Sequence, residues 1–261
     1  MTLFRKAVAA ISVTAACLGA LPGHAIAANE RVRLILNIPY EPFEFRNKGG
    51  ELAGFDIDLG NAMCEQAKLS CSWSEQGWES LLPSLMTRKA DAIMSGMTIS
   101  DDRREQVLFS DPYLIQPSGW FAPVDSLLSN VTTDTLRHQR IGVLRGSSQD
   151  RYATDLYGQH NDIRRYASAD DAVNDLMASR LDITLFDYPT GQSALLEASP
   201  GRFRLVGAKI QDERYFNDGF GIAFRKRDQA LAERFNRALA ELKENGTYQK
   251  LVDKYFPETP Q

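Results

Sequence analysis

The sequence is poor in the residues that build metal centres. It has three cysteines and three histidines among 261 residues. His24, His138 and His160 do not gather near Cys64 and Cys71, so no metal site is expected. There is no basic stripe with interleaved aromatics, and the formal charge is -4; both argue against a nucleic-acid partner. Beyond the first residues, no apolar run is long enough to span a bilayer. Low-complexity tracts and short repeats are missing too. What is present is ordinary globular composition, 43% hydrophobic, sufficient for one large core or two modest ones.

The first thirty residues read as an export signal. Arg5 and Lys6 give a positive start, an apolar stretch follows, and Ala25-Ile26-Ala27 supplies a small-x-small cleavage pattern, with the cut expected after Ala27. An uncleaved anchor and a lipidated Cys17 are the alternatives. Export leaves Cys64 and Cys71 in an oxidising compartment, which favours a disulfide between them over two free buried thiols. A bridge over so short a loop is worth roughly 2–3 kcal/mol in the chain-entropy model.

Periodicity and turn residues organise the rest. "RVRLILNI" reads as a strand, "GFDIDLGNAMCEQAKL" as an amphipathic helix, "LSCSWSEQ" as a strand and "WESLLPSLMTRKA" as a helix with Pro83 in its early turns. "DAIMSGMT" is a strand, "SDDRREQVLF" a short helix that Ser100 could cap, and "SGWFAPV" another strand. A second unit begins at "RIGVLRGSSQDRYATDLYG", which reads as strand, turn and helix. "DDAVNDLMASRLDITLFDYPTGQSALLEAS" continues with helix, strand, turn and helix. "RFRLVG" and "GFGIAFRK" are further strands, and two helices separated by Asn245-Gly246 close the chain. Alternation of strand and helix predicts an α/β fold with parallel strands in two lobes of similar size, with ligand chemistry at strand ends facing a cleft.

Six stretches carry a family resemblance in family order: "PYEPFEF", "GELAGFDIDLGNAMCEQAKLSC", "WESLLPSLMTRKADAIMSGMTISDDRREQVLFSDPY", "IGVLRGSSQ", "SRLDITLFD" and "ALAELKENGTYQKLVDKYF". The chain resembles the periplasmic solute-binding proteins of polar amino-acid ABC importers (family 3), in the branch for lysine, arginine, ornithine and histidine. The resemblance implies a type II periplasmic-binding-protein fold, with a cleft between lobes joined by two hinge crossovers. Residues 28–115 and 217–261 would form lobe 1, and 116–216 lobe 2, after a signal peptide over 1–27. The crossovers would fall near Leu114–Pro117 and Glu213–Asn217. It also implies a monomer in the periplasm that binds a free amino acid, presents it to an inner-membrane permease, and uses no cofactor or chemistry of its own. A cyclohexadienyl dehydratase-like enzyme on the same fold is the alternative.

A free amino acid is a zwitterion, and enclosing it strips water from both charges, so each needs a partner. By family position Arg103 is the forked donor for the carboxylate, facing inward while Arg104 faces out. Thr98 would offer its hydroxyl to the ammonium and its N–H to the carboxylate. Ser95 would reach the side-chain end, and Gly96 would contribute only its backbone. Ser148 would complete the carboxylate cage at a helix start, Gln149 would line the side-chain pocket, and Asp187 would pair with the α-ammonium. Tyr40 and Trp78 would sandwich the ligand side chain. The sequence departs from the basic-ligand branch at Asn37, where an aspartate is usual, and at Arg145, where a neutral residue is common. Glu41 or Glu44 could restore the missing negative charge. The expected ligand is a basic amino acid, with another polar one or an opine as alternatives.

Overall fold

The computed structural model describes residues 30–216 and 218–257. The expected export signal and Cys17 lie outside the described residues. The strands are β1 (Glu30–Leu36), β2 (Phe45–Arg46), β3 (Leu52–Ala53), β4 (Leu69–Glu75), β5 (Ala92–Ile93), β6 (Leu108–Phe109), β7 (Ser118–Pro123), β8 (Arg140–Leu144), β9 (Asp162–Tyr166), β10 (Ile183–Asp187), β11 (Phe203–Ile210) and β12 (Ala223–Phe224). The helices are α1 (Phe55–Gln66), α2 (Leu81–Met86), α3 (Asp101–Arg104), α4 (Ser148–Tyr157), α5 (Ala169–Met177), α6 (Tyr188–Gly191), α7 (Glu213–Phe216), α8 (Gln229–Glu244) and α9 (Thr247–Tyr255).

Two five-stranded sheets result, in the orders β4-β1-β5-β12-β6 and β11-β7-β10-β8-β9. The chain leaves the first sheet after β6, builds the second from β7 to β11, and returns to the first at β12. The expectation of parallel strands holds for β4-β1-β5 and for β10-β8-β9 but not throughout. β7 and β12 are the first strands after each crossing, and both run antiparallel to their neighbours. A helical βαβ connection forces a parallel return, whereas a strand arriving from the other sheet is under no such constraint.

Alternation along the strands covers both faces of each sheet. Val32 and Leu34 of β1 pack with Phe55, Leu59 and Met63 of α1 and Phe235 and Leu239 of α8, while Ile35 turns to Leu81 and Leu85 of α2. In the second sheet Trp120, Ile141, Val143 and Leu185 meet Tyr152 and Tyr157 of α4, and Phe121 and Phe186 meet Ala172, Val173 and Leu176 of α5. Each large side chain so buried contributes about 1.5–3 kcal/mol relative to exposure. Cys64 of α1 and Cys71 of β4 form a disulfide that ties helix to strand.

The two crossings run side by side. Phe220 N–H donates to the Leu114 carbonyl (2.7 Å), and Tyr113 N–H to the Phe220 carbonyl (2.9 Å). Gly219 allows this approach: its φ is +69°, and a Cβ would lie 2.4 Å from the Leu114 oxygen. Local expectations are corrected in several places. The helix expected over "SDDRREQVLF" is confined to α3, its end being strand β6, and Ser100 precedes α3 without a side-chain cap. β2, β3, β9 and α7 were not anticipated.

Candidate ligand-binding site

The carboxyl ends of β1, β4, β5, β8 and β10 all lead to one narrow cavity between the sheets. Asn37 and Tyr40 follow β1, Trp78 follows β4, Ser95, Gly96 and Thr98 follow β5, and Arg103 sits in α3. From the other side come Leu144 at the end of β8, Ser147, Ser148 and Gln149 at the start of α4, and Asp187 at the end of β10. All ten residues expected from the sequence line this cavity, together with Glu44, Leu144 and Ser147. A second, wider groove is lined by Pro42, Gln116, Pro117, Tyr188, Lys209 and Tyr255 among others, and holds none of the ten.

Arg103 is 9% exposed, while Arg104 faces outward and pairs with Asp218 at 2.8 Å. The Arg103 guanidinium donates to the carbonyls of Thr98 (2.7 Å) and, across the cleft, Gly146 (3.1 Å), and lies 5.4 Å from the Trp78 ring centroid. Burial lowers its pKa to about 10, against the pull of Asp187 and Asp102, so it stays cationic at neutral pH.

Asp187 is 4% exposed. Its two carboxylate oxygens accept from the Tyr40 hydroxyl (2.6 Å) and the Gln149 amide (2.9 Å). Burial raises its pKa to about 7, although both hydrogen bonds and the charge of Arg103 pull the other way. Tyr40 thus has a role beyond its ring face, since its hydroxyl reaches across the cleft to Asp187.

The Ser147 side chain accepts from Asp150 N–H (3.0 Å) and caps α4, which leaves the Ser148 hydroxyl uncommitted to capping. Ser95 is more committed than expected: its oxygen accepts from Asn37 N–H (2.9 Å), and its single O–H donates to Glu44 (2.7 Å). Asn37 donates its side-chain amide to the Gln76 carbonyl (3.0 Å).

The question of extra charges resolves by position. Arg145 is exposed and pairs across the cleft with Glu79 at 3.1 Å, outside the cavity lining. Glu41 is exposed and accepts from Ser193. Glu44 lines the cavity and is 1% exposed. Trp73 packs against the core with its indole N–H on Asn61, and Trp120 is fully buried.

Glu44 has an acidic neighbour that sequence reasoning missed. Gly54 has φ +125°, and a Cβ there would fall 2.1 Å from the Phe43 oxygen. The glycine therefore lets the 42–44 segment lie against the start of α1, where Phe55 and Asp56 N–H donate to the carbonyls of Pro42 and Phe43. Asp56, wholly buried, thereby comes next to Glu44. Its Oδ2 accepts from Gly96 N–H (2.8 Å) and the Tyr113 hydroxyl (2.7 Å). Among the described residues no cluster of histidine, cysteine and carboxylates could hold a metal ion.

Two lobes that enclose a cation, a carboxylate and helix-start donors, with the two charges on different lobes, define a receptor for a small ionic solute. The pattern of the bacterial extracellular solute-binding proteins, family 3, matches residues 32–258, and the chain belongs to that family. It is 40% identical over 232 residues to the L-arginine-binding protein of Pseudomonas aeruginosa, covering 88% of this chain and 89% of that one. It is 37% identical over 254 residues to the lysine/arginine/ornithine-binding periplasmic protein of Escherichia coli K12, covering 97% of each. Among solved structures, an ancestral arginine-binding protein bound to arginine superposes with a TM-score of 0.81 at 26% identity, covering 88% of this chain and 99% of that one. The named relatives are binding proteins, and this chain is a solute-binding protein rather than an enzyme. No helix among the described residues is long and apolar enough to cross a membrane.

Proposed function

We propose that this protein is the periplasmic receptor of an ABC importer for a basic amino acid. It would act as a monomer after removal of residues 1–27 and hand its ligand to an inner-membrane permease. Lobe 1 comprises 28–115 and 217–261, lobe 2 comprises 116–216, and closure about the two crossings traps the ligand. The observation that carries the reading is the placement of Arg103 and Asp187 on opposite lobes of one buried cavity. Arg103 binds the α-carboxylate in forked fashion, assisted by Thr98, Ser148 and the N–H groups at the start of α4. Asp187 takes the α-ammonium. Tyr40 and Trp78 cover the side chain, with Ser95, Gly96, Gln149 and Asn37 around it.

Arginine and lysine appear in the names of the relatives, and Glu44 gives this cavity an acid where Asn37 supplies none. Calorimetric and thermal-shift screening of ligand-stripped protein against the common amino acids and opines tests the assignment. A true ligand raises stability with the logarithm of its concentration over Kd. Strong stabilisation by acidic or apolar amino acids, with none by arginine, lysine, ornithine or histidine, would overturn it.

A further inference from the structure

Glu44 and Asp56 are neighbouring buried carboxyl groups, 1% and 0% exposed, and Glu44 lines the cavity. The two carboxyl groups are close enough to shift each other's titration. Glu44 Oε2 and Asp56 Oδ1 are buried and have no hydrogen-bond partner, which leaves one oxygen of each carboxyl for a proton shared between them. Two carboxylates in such contact cannot both be ionised at small cost, so one proton belongs to the pair. Its place follows from the surroundings. Asp56 has two donors on Oδ2 and sits in the first turn of α1, where the helix dipole favours negative charge. Glu44 has one donor, Ser95. The negative charge therefore rests on Asp56, and Glu44 donates its O–H to it. Burial and the charge of Asp56 hold the Glu44 pKa well above the ordinary carboxylate range. The other titratable groups that feel Glu44 are Asp187, Tyr40 and Tyr113, and Arg103 lines the same cavity.

We infer that the Glu44–Asp56 pair releases its shared proton when a cationic side chain enters the cavity, and retains it for a neutral one, so that basic ligands are selected by proton release. The inference rests on the reading that amino acids bind at Arg103 and Asp187. In the step, the Glu44 O–H bond breaks, the proton passes to the solvent buffer, and the new carboxylate charge balances the incoming cation. Asp56 is a positioning residue: it holds the proton of Glu44 until the ligand displaces it.

The test is calorimetry of arginine and of its neutral ureido analogue, citrulline, from pH 6 to 8 in buffers of different ionisation heat. Asp187 titrates in the same range and feels Glu44; both ligands present it with the same α-ammonium, and the Glu44→Gln variant measures whatever difference it contributes by itself. Wild-type protein should release up to one more proton with arginine than with citrulline, and the ratio of arginine to citrulline affinity should rise by up to about tenfold per pH unit. Glu44→Gln reproduces the protonated acid, with its amide N–H on Asp56 and its oxygen on Ser95. It should abolish the extra proton and lower arginine's advantage by tenfold or more. Asp56→Asn turns an amide N–H toward Glu44 and fixes its charge; it should abolish the extra proton but keep the advantage. Equal proton release for the two ligands in wild type, or an Asp56→Asn variant that still releases the extra proton, refutes the inference and leaves the receptor assignment intact. Failure of the wild type to bind any cationic amino acid while neutral ones bind removes that assignment as well.

Discussion

Replacing Asp187 by asparagine should make the ligand-free protein more stable and the receptor worse. The carboxylate is buried, and its pKa is raised from 3.8 to about 7 chiefly by desolvation. A carboxyl group whose folded pKa lies above its unfolded value favours folding below the unfolded value. That contribution is lost as pH rises through the folded pKa. From pH 4 to 8 the native state therefore loses stability through this group, by up to about 4 kcal/mol at 1.36 kcal/mol per pH unit. Asparagine carries no such penalty and can keep both local bonds, accepting from Gln149 and donating to the Tyr40 oxygen. Urea or thermal unfolding of ligand-stripped protein should show near equality at pH 4 and an advantage for Asp187→Asn at pH 8, on the order of 10 °C in Tm. Binding should move the other way. Loss of the partner for the α-ammonium should weaken every α-amino ligand by about 2–5 kcal/mol, at least about thirtyfold. A stability difference that does not change with pH would show that the charge is not buried as described. Weakening confined to some ligands would move Asp187 to the side-chain end of the cavity.

Arg103→Ala should abolish binding with an unchanged circular dichroism spectrum, and Arg103→Lys should lose at least about a hundredfold, since an ammonium cannot make the forked pair; tight binding in either variant removes the carboxylate anchor. Reduction of Cys64–Cys71, or Cys64→Ala with Cys71→Ala, should lower stability by roughly 2–3 kcal/mol in denaturant titrations. It should leave Kd unchanged, because neither residue lines the cavity. The pKa of Asp91 is lowered to about 2, above all by its hydrogen bond with Arg33. Its contribution to stability is complete above the unfolded pKa and lost as pH falls through the folded one. Asp91→Asn should therefore destabilise at pH 7 and narrow its gap to wild type in acid, as read by unfolding at pH 7 and pH 2.

The elements of the fold were legible where periodicity ran long, as in α1, α8 and β1, and where punctuation was clear, as at Asn245-Gly246. The antiparallel entries of β7 and β12 were not, because strand direction after a crossing depends on which sheet the strand joins. The Ser147 cap had a readable signal: Ser147 stands three residues before Asp150, the spacing at which a side chain meets an N–H in the first turn. Glu44 had only a weak one. A glutamate between Phe43 and Phe45 in "PYEPFEF" reads equally as a solvated strand residue. Its burial follows from Gly54, ten residues later, whose missing side chain lets the 42–44 segment press onto α1. Asp56 was hidden for the same reason, since an aspartate in a first helical turn is ordinarily a solvent-facing complement to the dipole.

The cavity also suggests how such a receptor can be specific with so many charges out of water. The groups expected to meet the ligand are each held by the opposite side of the cleft: Asp187 by the Tyr40 hydroxyl, Arg103 by the Gly146 carbonyl. A ligand must offer better partners than these to take their place. A carboxylate does so for the guanidinium, because a forked pair of charge-assisted bonds is stronger than one bond to a neutral carbonyl. An ammonium does so for Asp187, because it cancels a charge that a phenol only solvates. A molecule with one of the two head charges displaces one contact and leaves the other desolvated group to its weaker neighbour. The affinity would then be a difference between the ligand's bonds and the contacts they replace. Under the proposed function, selection for the whole zwitterion would follow from that competition, with the side chain met separately beside Glu44.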